Sequence, residues 1–313
     1  MNLSIVSTLY CSESNLKEFY NRATNEAFAL AENSYEIILV NDGSPDESLA
    51  LALEISKKDT HVKIIDLSRN FGHYKALMTG LKYASGEKIF LIDSDLEEQP
   101  EYLSLFNQRL EEGRCDVIFG VQAKRKGGLF EKVTGEIFWR MFNFFSDMNL
   151  PLNTITARLM TKQYVAALLL HQEKEIFIAG LWHITGFNQQ AVQVTKKNLS
   201  KTSYTFLMKI SLLVNAITSF SNAPLRLIFY IGSAILLLSS AYISYLIVMW
   251  AYFLEPPSGW TSLMASIWLL GGLIILFLGI IGIYLSKIFL ETKNRPLVII
   301  KSEHGFAPSK EKE

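Results

Sequence analysis

From Leu3 to Val121, short apolar runs alternate with amphipathic stretches. Leu3 to Leu9 is rich in β-branched and apolar residues and predicts a first strand. Between Glu13 and Glu32, residues Leu16, Phe19, Tyr20, Ala23, Ala27 and Leu30 fall at helical spacing. Further strands are predicted at Glu36 to Val40, Val62 to Asp66, Lys88 to Ile92 and Cys115 to Val121. Helical patterns separate them, one built on Ala76, Leu77, Leu81 and Tyr83, another running from Glu101 to Glu112. After the second strand, Ser44, Pro45 and Glu47 have the order of an N-cap, an N1 proline and a capping-box glutamate. The alternation predicts an α/β domain on a parallel, Rossmann-like sheet.

Beyond Val121 the pattern changes. Lys124 to Gly128 is a basic turn, after which Phe130, Val133, Ile137, Met141, Phe144 and Met148 share one helical face. Such a face suits either a core-packed helix or one lying in a membrane interface. A second amphipathic stretch, Tyr204 to Phe220, follows Lys196, Lys197 and Lys201. No charge then occurs from Leu227 to Leu254, a run that as a helix would reach about 42 Å, beyond a hydrocarbon core of ~30 Å. Another uncharged run follows Glu255 and lasts to Ser286. The loop from Glu255 to Trp260 lacks Lys and Arg, whereas Arg226, Lys287, Lys293, Arg295 and Lys301 flank the pair outside it. This distribution predicts two membrane helices with both termini cytoplasmic, and Trp250, Tyr252 and Trp260 suit an aromatic belt. The predicted plan is a cytoplasmic domain at 1–200, a juxtamembrane helix at 201–226, two transmembrane helices within 227–286 and a cytoplasmic tail at 287–313.

Composition narrows the partners. Thirty basic and 30 acidic residues in 313 give a formal net charge of zero, so there is no global pull toward nucleic acid. The two cysteines, Cys11 and Cys115, are far apart and suggest no disulfide framework. Met1 to Val6 has no basic leader and runs straight into strand-like sequence, so no signal peptide is expected. GxGxxG and GxxxxGK[ST] are both absent, which argues against a dinucleotide oxidoreductase and a P-loop NTPase.

The chemistry is concentrated where the fourth strand ends, in Asp93-Ser94-Asp95-Leu96-Glu97-Glu98. Ligands of open α/β sheets bind beyond the carboxyl ends of strands. Paired carboxylates there suit Mg²⁺ or Mn²⁺ carried on substrate phosphates. Taken alone, the run also reads as a solvated acidic loop, and Asp42, at the end of the second strand, as a turn former before Gly43. A metal–phosphate site tethered to a membrane points to one soluble diphosphate substrate, such as an activated sugar, and one lipid substrate. The metal would offset charge on the departing nucleoside diphosphate. Arg125, Lys132 and Arg158 are cations available for a lipid phosphate.

Val40-Asn41-Asp42-Gly43-Ser44, Arg69-Asn70-Phe71-Gly72, Asp93-Ser94-Asp95-Leu96, Arg158-Leu159-Met160, Ile178-Ala179-Gly180-Leu181, Pro224-Leu225-Arg226 and Arg295-Pro296 occur in this order. Together they resemble the family 2 glycosyltransferases of the polyprenyl-phosphate type. The chain is similar to dolichyl-phosphate mannose synthase and, more closely, to bacterial bactoprenyl glucosyltransferases with two C-terminal membrane helices. The resemblance implies a GT-A fold. It implies inverting transfer from a nucleotide sugar to a polyprenyl (undecaprenyl) phosphate at the cytoplasmic face of the bacterial inner membrane, for envelope glycan or O-antigen modification. It assigns Thr8, Tyr10, Asp42, Asn70, Asp93 and Ser94 to the nucleotide sugar, and Asp95 with Glu97 to Mg²⁺ or Mn²⁺. Arg125, Lys132 and Arg158 would hold phosphate groups, Asp93, Asp95 and Arg158 form the catalytic set, and a homo-oligomer, a tetramer in the family, is implied.

The departures gather on the acceptor side. The usual Pro-x-Tyr-Asn-Glu is Thr8-Leu9-Tyr10-Cys11-Ser12, an expected Arg is Gln122, and the usual Arg-x-x-Gly-x-Ser-x-Tyr reads Lys197 to Tyr204. The usual Asp-Phe-Arg-Leu is Thr156-Ala157-Arg158-Leu159, so the carboxylate sometimes proposed as a base is missing. A phosphomonoester is already anionic near neutral pH, its second pKa being about 6, and needs positioning more than deprotonation.

Overall fold

The computed structural model describes residues 1–122, 140, 144, 153–196, 214, 217–253 and 259–306. They fall into two compact units, one built on 1–122, 153–196 and 295–306, the other on 217–253 and 259–294.

The first unit is organised by one eight-stranded sheet. Its strands are β1 (Leu3–Leu9), β2 (Tyr35–Asn41), β3 (Val62–Leu67), β4 (Lys88–Leu91), β5 (Val117–Gln122), β6 (Thr154–Thr161), β7 (Gln189–Val194) and β8 (Ile300–His304). Their spatial order is β7-β5-β6-β4-β1-β2-β3-β8. β1 pairs in parallel with both β2 and β4, and β2 with β3. The chain leaves β1 for β2 and β3 on one side and returns to β4 on the other. That reversal makes the ends of β1, β2 and β4 a topological switch point, where a crevice opens.

Sequence periodicity explains these elements. β1 and β2 are buried along their whole length and are apolar or β-branched almost throughout. Helices α1 (Leu16–Ala31), α2 (Ser48–Lys58) and α4 (Tyr102–Gly113) cover one face, where Leu16, Phe19, Ala52, Leu103 and Phe106 meet Leu3, Ile5 and Ile37. Helix α3 (His73–Tyr83) covers β1 and β2 on the other face. Its Gly80 approaches so closely that a Cβ there would lie 2.5 Å from Val6 Cγ1. Two short helices, α5 (Lys162–Leu168) and α6 (Ile178–Ile184), follow β6.

Three sequence expectations need correction. The sheet is mixed, not parallel. β6 inserts between β4 and β5 and runs antiparallel to both, with Arg158 opposite Leu91 and Phe119. Within the segment expected as a tail, residues 295–306 belong to this unit, where β8 adds to the sheet edge antiparallel to β3. The capping box of Ser44 and Glu47 does not form. Helix α2 starts at Ser48, and the Asp46 carboxylate accepts the Ser48 N–H and both the Ser44 and Ser48 hydroxyls. A carboxylate at that position outcompetes the serine as acceptor for the first free amides.

The second unit carries α7 (Ala223–Phe253) and α8 (Trp260–Thr292), of 31 and 33 residues. Within them, Ala223–Tyr242 and Ser266–Thr292 are long and apolar enough to cross a membrane, and neither stretch is buried by protein. A core helix of a water-soluble protein would be covered; exposed Leu237, Leu238, Leu269 and Ile275 instead form the surface of these rods. The Tyr284 hydroxyl donates to the Ser221 carbonyl at 2.6 Å, and Lys287 Nζ to Ser219 Oγ at 2.7 Å. The amphipathic helices expected around 130–148 and 201–226 lie largely outside the described residues.

Candidate active site

At the switch point lies a cleft of about 360 Å³. From β1 and its following loop it takes Thr8, Tyr10 and Ser12; from the end of β2, Asp42; from the loop after β3, Asn70; and from the end of β4, Asp93, Ser94 and Asp95. His73, the first residue of α3, completes it. The structure therefore brings together Thr8, Tyr10, Asp42, Asn70, Asp93, Ser94 and Asp95 from four separate segments, all expected on the nucleotide-sugar or metal side.

Two loops form one wall. The Asp42 carboxylate accepts the backbone N–H of Phe71 at 2.7 Å and of Gly72 at 3.1 Å. Burial pushes its carboxyl above the ordinary carboxylate range, against the pull of those two amides. Gly43 packs directly on the same loop at φ +60°, so the Asp-Gly and Arg-Asn-Phe-Gly segments fold as one clamp. Asp42→Ala is expected to free that loop and raise the donor KM at least about tenfold, since two charge-assisted hydrogen bonds are lost. Steady-state kinetics against donor concentration checks this.

The floor is knitted around β1 and β4. Ser94 Oγ donates to the Thr8 carbonyl at 2.8 Å and pairs with Ser12 Oγ at 3.0 Å. Thr8 Oγ1 hydrogen-bonds His73 Nδ1 at 3.1 Å, and His73 Nε2 lies 3.4 Å from Asp93 Oδ1. After Asp95 the chain reverses through Leu96 at φ +61°, held by the Glu97 N–H donating to Asp95 Oδ1 at 2.9 Å. Burial, then the neighbouring charge of Asp93, raises the pKa of Asp95.

Glu98 anchors this acidic loop to β6. It is fully buried, and its two oxygens accept the Thr156 and Ala157 N–H groups at 3.0 and 2.7 Å. Lys196, just past β7, reaches Glu97 Oε2 at 3.1 Å and Glu98 Oε1 at 3.6 Å. Burial and the neighbouring charge of Asp93 push the Glu98 carboxyl up, against the pull of Lys196 and the two amides. Glu98→Ala would leave two amides and a lysine without their acceptor, at a cost of about 3 kcal/mol. Thermal denaturation of the full chain in detergent is expected to register it as a clear drop in Tm.

The remaining expected residues lie elsewhere. Arg158 is 1% exposed and does not line the cleft. Its guanidinium stacks on the Trp182 ring, and its Nε and one Nη donate to the Thr156 and Ile155 carbonyls at 3.3 and 3.4 Å. Burial lowers its pKa to about 9. Glu97 is buried behind the cleft against Lys196. Arg125 and Lys132 lie outside the described residues.

Among the described residues no three His, Cys, Asp or Glu side chains surround a common point. Asp93 and Asp95, however, line the cleft with hard oxygen donors, and the buried Asp93 Oδ1 makes no hydrogen bond, His73 Nε2 standing 3.4 Å away. Mg²⁺-type ions are usually held by one or two carboxylates with substrate phosphates supplying the rest. The pair fits that mode.

Residues 4–166, just over half of the chain, match glycosyl transferase family 2. The chain belongs to this family. Similarity extends well beyond the matched segment. A Mycobacterium tuberculosis protein named as a glycosyltransferase is 48% identical over 305 residues, covering 97% of this chain and 89% of that one. A Shigella flexneri prophage protein named bactoprenol glucosyl transferase is 30% identical over 313 residues, covering 98% of this chain and all of its own. Among solved structures, glucosyl-3-phosphoglycerate synthase from M. tuberculosis, in complex with Mn²⁺, UDP and phosphoglyceric acid, aligns with a TM-score of 0.50 at 13% identity. It covers 69% of this chain and 78% of its own, a likeness of fold. The first unit is thus a GT-A-like glycosyltransferase domain, followed in sequence by two apolar helices.

His73, Ser12, Glu98 and Lys196 are site residues that sequence reasoning did not assign. A histidine opening an amphipathic helix after Gly72 carried a weak signal. Lys196 read only as part of a basic stretch before a membrane segment.

Proposed function

We propose that the protein transfers a sugar, with inversion at the anomeric carbon, from a nucleoside-diphosphate sugar to a polyprenyl phosphate at a membrane surface. The observation that carries this reading is the convergence of Asp42, Asn70, Asp93 and Asp95 in one cleft of a glycosyltransferase family 2 domain whose chain continues into two apolar helices. The bactoprenol glucosyl transferase similarity supports the lipid acceptor, and the UDP- and Mn²⁺-bound fold relative supports a nucleotide donor with a divalent cation.

In this reading the clamp of Asp42, Gly43 and Asn70 receives the nucleoside. Asp93 and Asp95 would hold a divalent cation, with Glu97 a further carboxylate for it, and the cation would supply Lewis-acid neutralisation of the leaving diphosphate. Tyr10 and His73 bound the cleft and fix the donor so that the anomeric carbon faces the incoming phosphate. No side-chain base is required, because the acceptor oxygen is already anionic; position 156 can therefore be threonine. Arg125 and Lys132 are assigned to the acceptor phosphate. Arg158 would join them only if Trp182 moved off its guanidinium.

The edge strand supports a hairpin topology. Since β8 pairs with β3, the chain re-enters the catalytic sheet after α8, so the two helices would cross the bilayer once each way. Arg226, Lys287 and Lys293, which flank the pair of helices, support a cytoplasmic position for that sheet in this reading.

The acceptor class is tested with the full chain in detergent, a nucleotide sugar, Mn²⁺, and either polyprenyl phosphate, the polyprenyl alcohol or a lipid-diphosphate saccharide. Product with the phosphate alone, bearing the inverted anomer by NMR, is expected. Product with the alcohol would require a base that the reading lacks and would overturn it.

A further inference from the structure

The loop after β4 packs four carboxylates into six residues, Asp93, Asp95, Glu97 and Glu98. Glu97 and Glu98 are both buried. A buried carboxylate needs a counter-charge or a set of hydrogen bonds. Glu98 obtains two backbone amides from β6. Lys196 ion-pairs with both Glu97 and Glu98, at 3.1 and 3.6 Å. Its side chain is 23% exposed, so the lysine is half-buried. Burial opposes its charge, yet Glu98 and Glu97, with smaller contributions from Asp95 and Asp93, hold its pKa above the usual lysine range.

The same loop is the one assigned to the divalent cation. Glu97 is joined to Asp95 through its own backbone N–H, two residues on, so the two carboxylates move with one tight turn. A dication at Asp93 and Asp95 would share its acidic neighbours with the lysine ammonium. Two cations drawing on one group of carboxylates bind antagonistically, and the effect is large where water is excluded.

We propose that Lys196 is a tethered counter-cation that occupies Glu97 when no divalent cation is present, and that its ammonium must withdraw from Glu97 before that carboxylate can reach the metal. Lys196 is in this sense a positioning residue. It keeps the acidic loop folded without metal and weakens metal binding until the diphosphate of the donor contributes its own oxygens. Metal and donor would then bind together, the lysine making metal alone a poor ligand. The inference rests on the assignment of Asp93 and Asp95 to a divalent cation.

The test is Mn²⁺ titration of the full chain in detergent, without donor, read by the EPR signal of free Mn²⁺. Lys196→Met is expected to bind Mn²⁺ about tenfold more tightly than the parent, by removal of one competing charge. In Glu97→Gln, which removes the contested carboxylate, adding Lys196→Met is expected to tighten binding less. Unchanged or weaker Mn²⁺ binding by Lys196→Met would overturn the inference, and so would an equal gain in the Glu97→Gln background. If Lys196→Met fails to fold, acetylation of the parent followed by mass spectrometry decides. Lys196 is expected to react slowly in EDTA and faster with Mn²⁺ plus UDP, and equal rates would contradict the exchange. A parent that binds no Mn²⁺ in any condition would remove the metal assignment together with this inference. Mn²⁺ binding indifferent to Lys196 would sink the inference alone.

Discussion

Asp95→Asn is expected to lower sugar transfer by about three orders of magnitude, since a metal's charge stabilisation is worth several kcal/mol, while leaving Tm within about 2 °C of the parent. The substitution isolates charge from shape. Asn keeps an oxygen where Asp95 Oδ1 accepts the Glu97 N–H, so the turn through Leu96 survives. The Asp95 carbonyl still accepts from Asn15 Nδ2 at 3.2 Å. Stability should hold because the carboxyl is no asset to folding at neutral pH. Its folded pKa is raised by burial and by Asp93. An acid with a raised folded pKa favours the native state below its unfolded pKa, and that contribution is lost as pH rises through the folded value. At neutral pH the charge of Asp95 is a cost, which Asn removes. Donor turnover and a melting curve on the same preparation check both halves. A variant that turns over normally would remove Asp95 from the metal site, and one that unfolds would make its role structural.

Gly43→Ala is expected to destabilise the first unit by about 3 kcal/mol, and with it to weaken donor binding tenfold or more, for two reasons that add. An L-residue at φ +60° costs about 1–2 kcal/mol. The new methyl would also lie 2.5 Å from Asn70 N and 2.6 Å from Arg69 C, so backbone must shift, a strain of typically 1–3 kcal/mol. The atoms in the way belong to the loop that Asp42 holds through Phe71 and Gly72. Relieving the clash therefore opens the clamp. The expected reading is a fall in Tm of roughly 10 °C, from the size scaling of unfolding entropy, with UDP affinity by calorimetry falling in parallel. Unchanged UDP binding would mean the clamp does not hold the nucleoside.

Local signals carried the parallel half of the fold. β1, β2 and β3 are short runs in which apolar and β-branched residues predominate, and α1 and α3 show their buried stripes at helical spacing. β6 was not legible, because Thr154–Thr161 places Arg158 in mid-run and its partners β4 and β5 lie far back in the chain. A buried guanidinium stacked on Trp182 is a tertiary solution that no periodicity announces. β8 was read as a tail because an edge strand with Lys301, Glu303 and His304 has half its positions solvated. At the site, the carboxylates were legible from their position at strand ends. Glu97, however, faces Lys196, a residue distant in sequence, and the path from β7 back to the acidic loop exists only in three dimensions. Ser44 misled for a local reason: Asp46, two residues on, is the stronger acceptor.

The most direct measurement is lipid labelling. Full-length protein in detergent is incubated with radiolabelled nucleotide sugars, one at a time, together with undecaprenyl phosphate and Mn²⁺, and the organic phase is counted. One donor is expected to give a labelled lipid that disappears on omission of the lipid phosphate, on addition of EDTA and in Asp95→Asn. Absence of labelled lipid with every donor, from protein that binds UDP and melts cooperatively, would contradict the account.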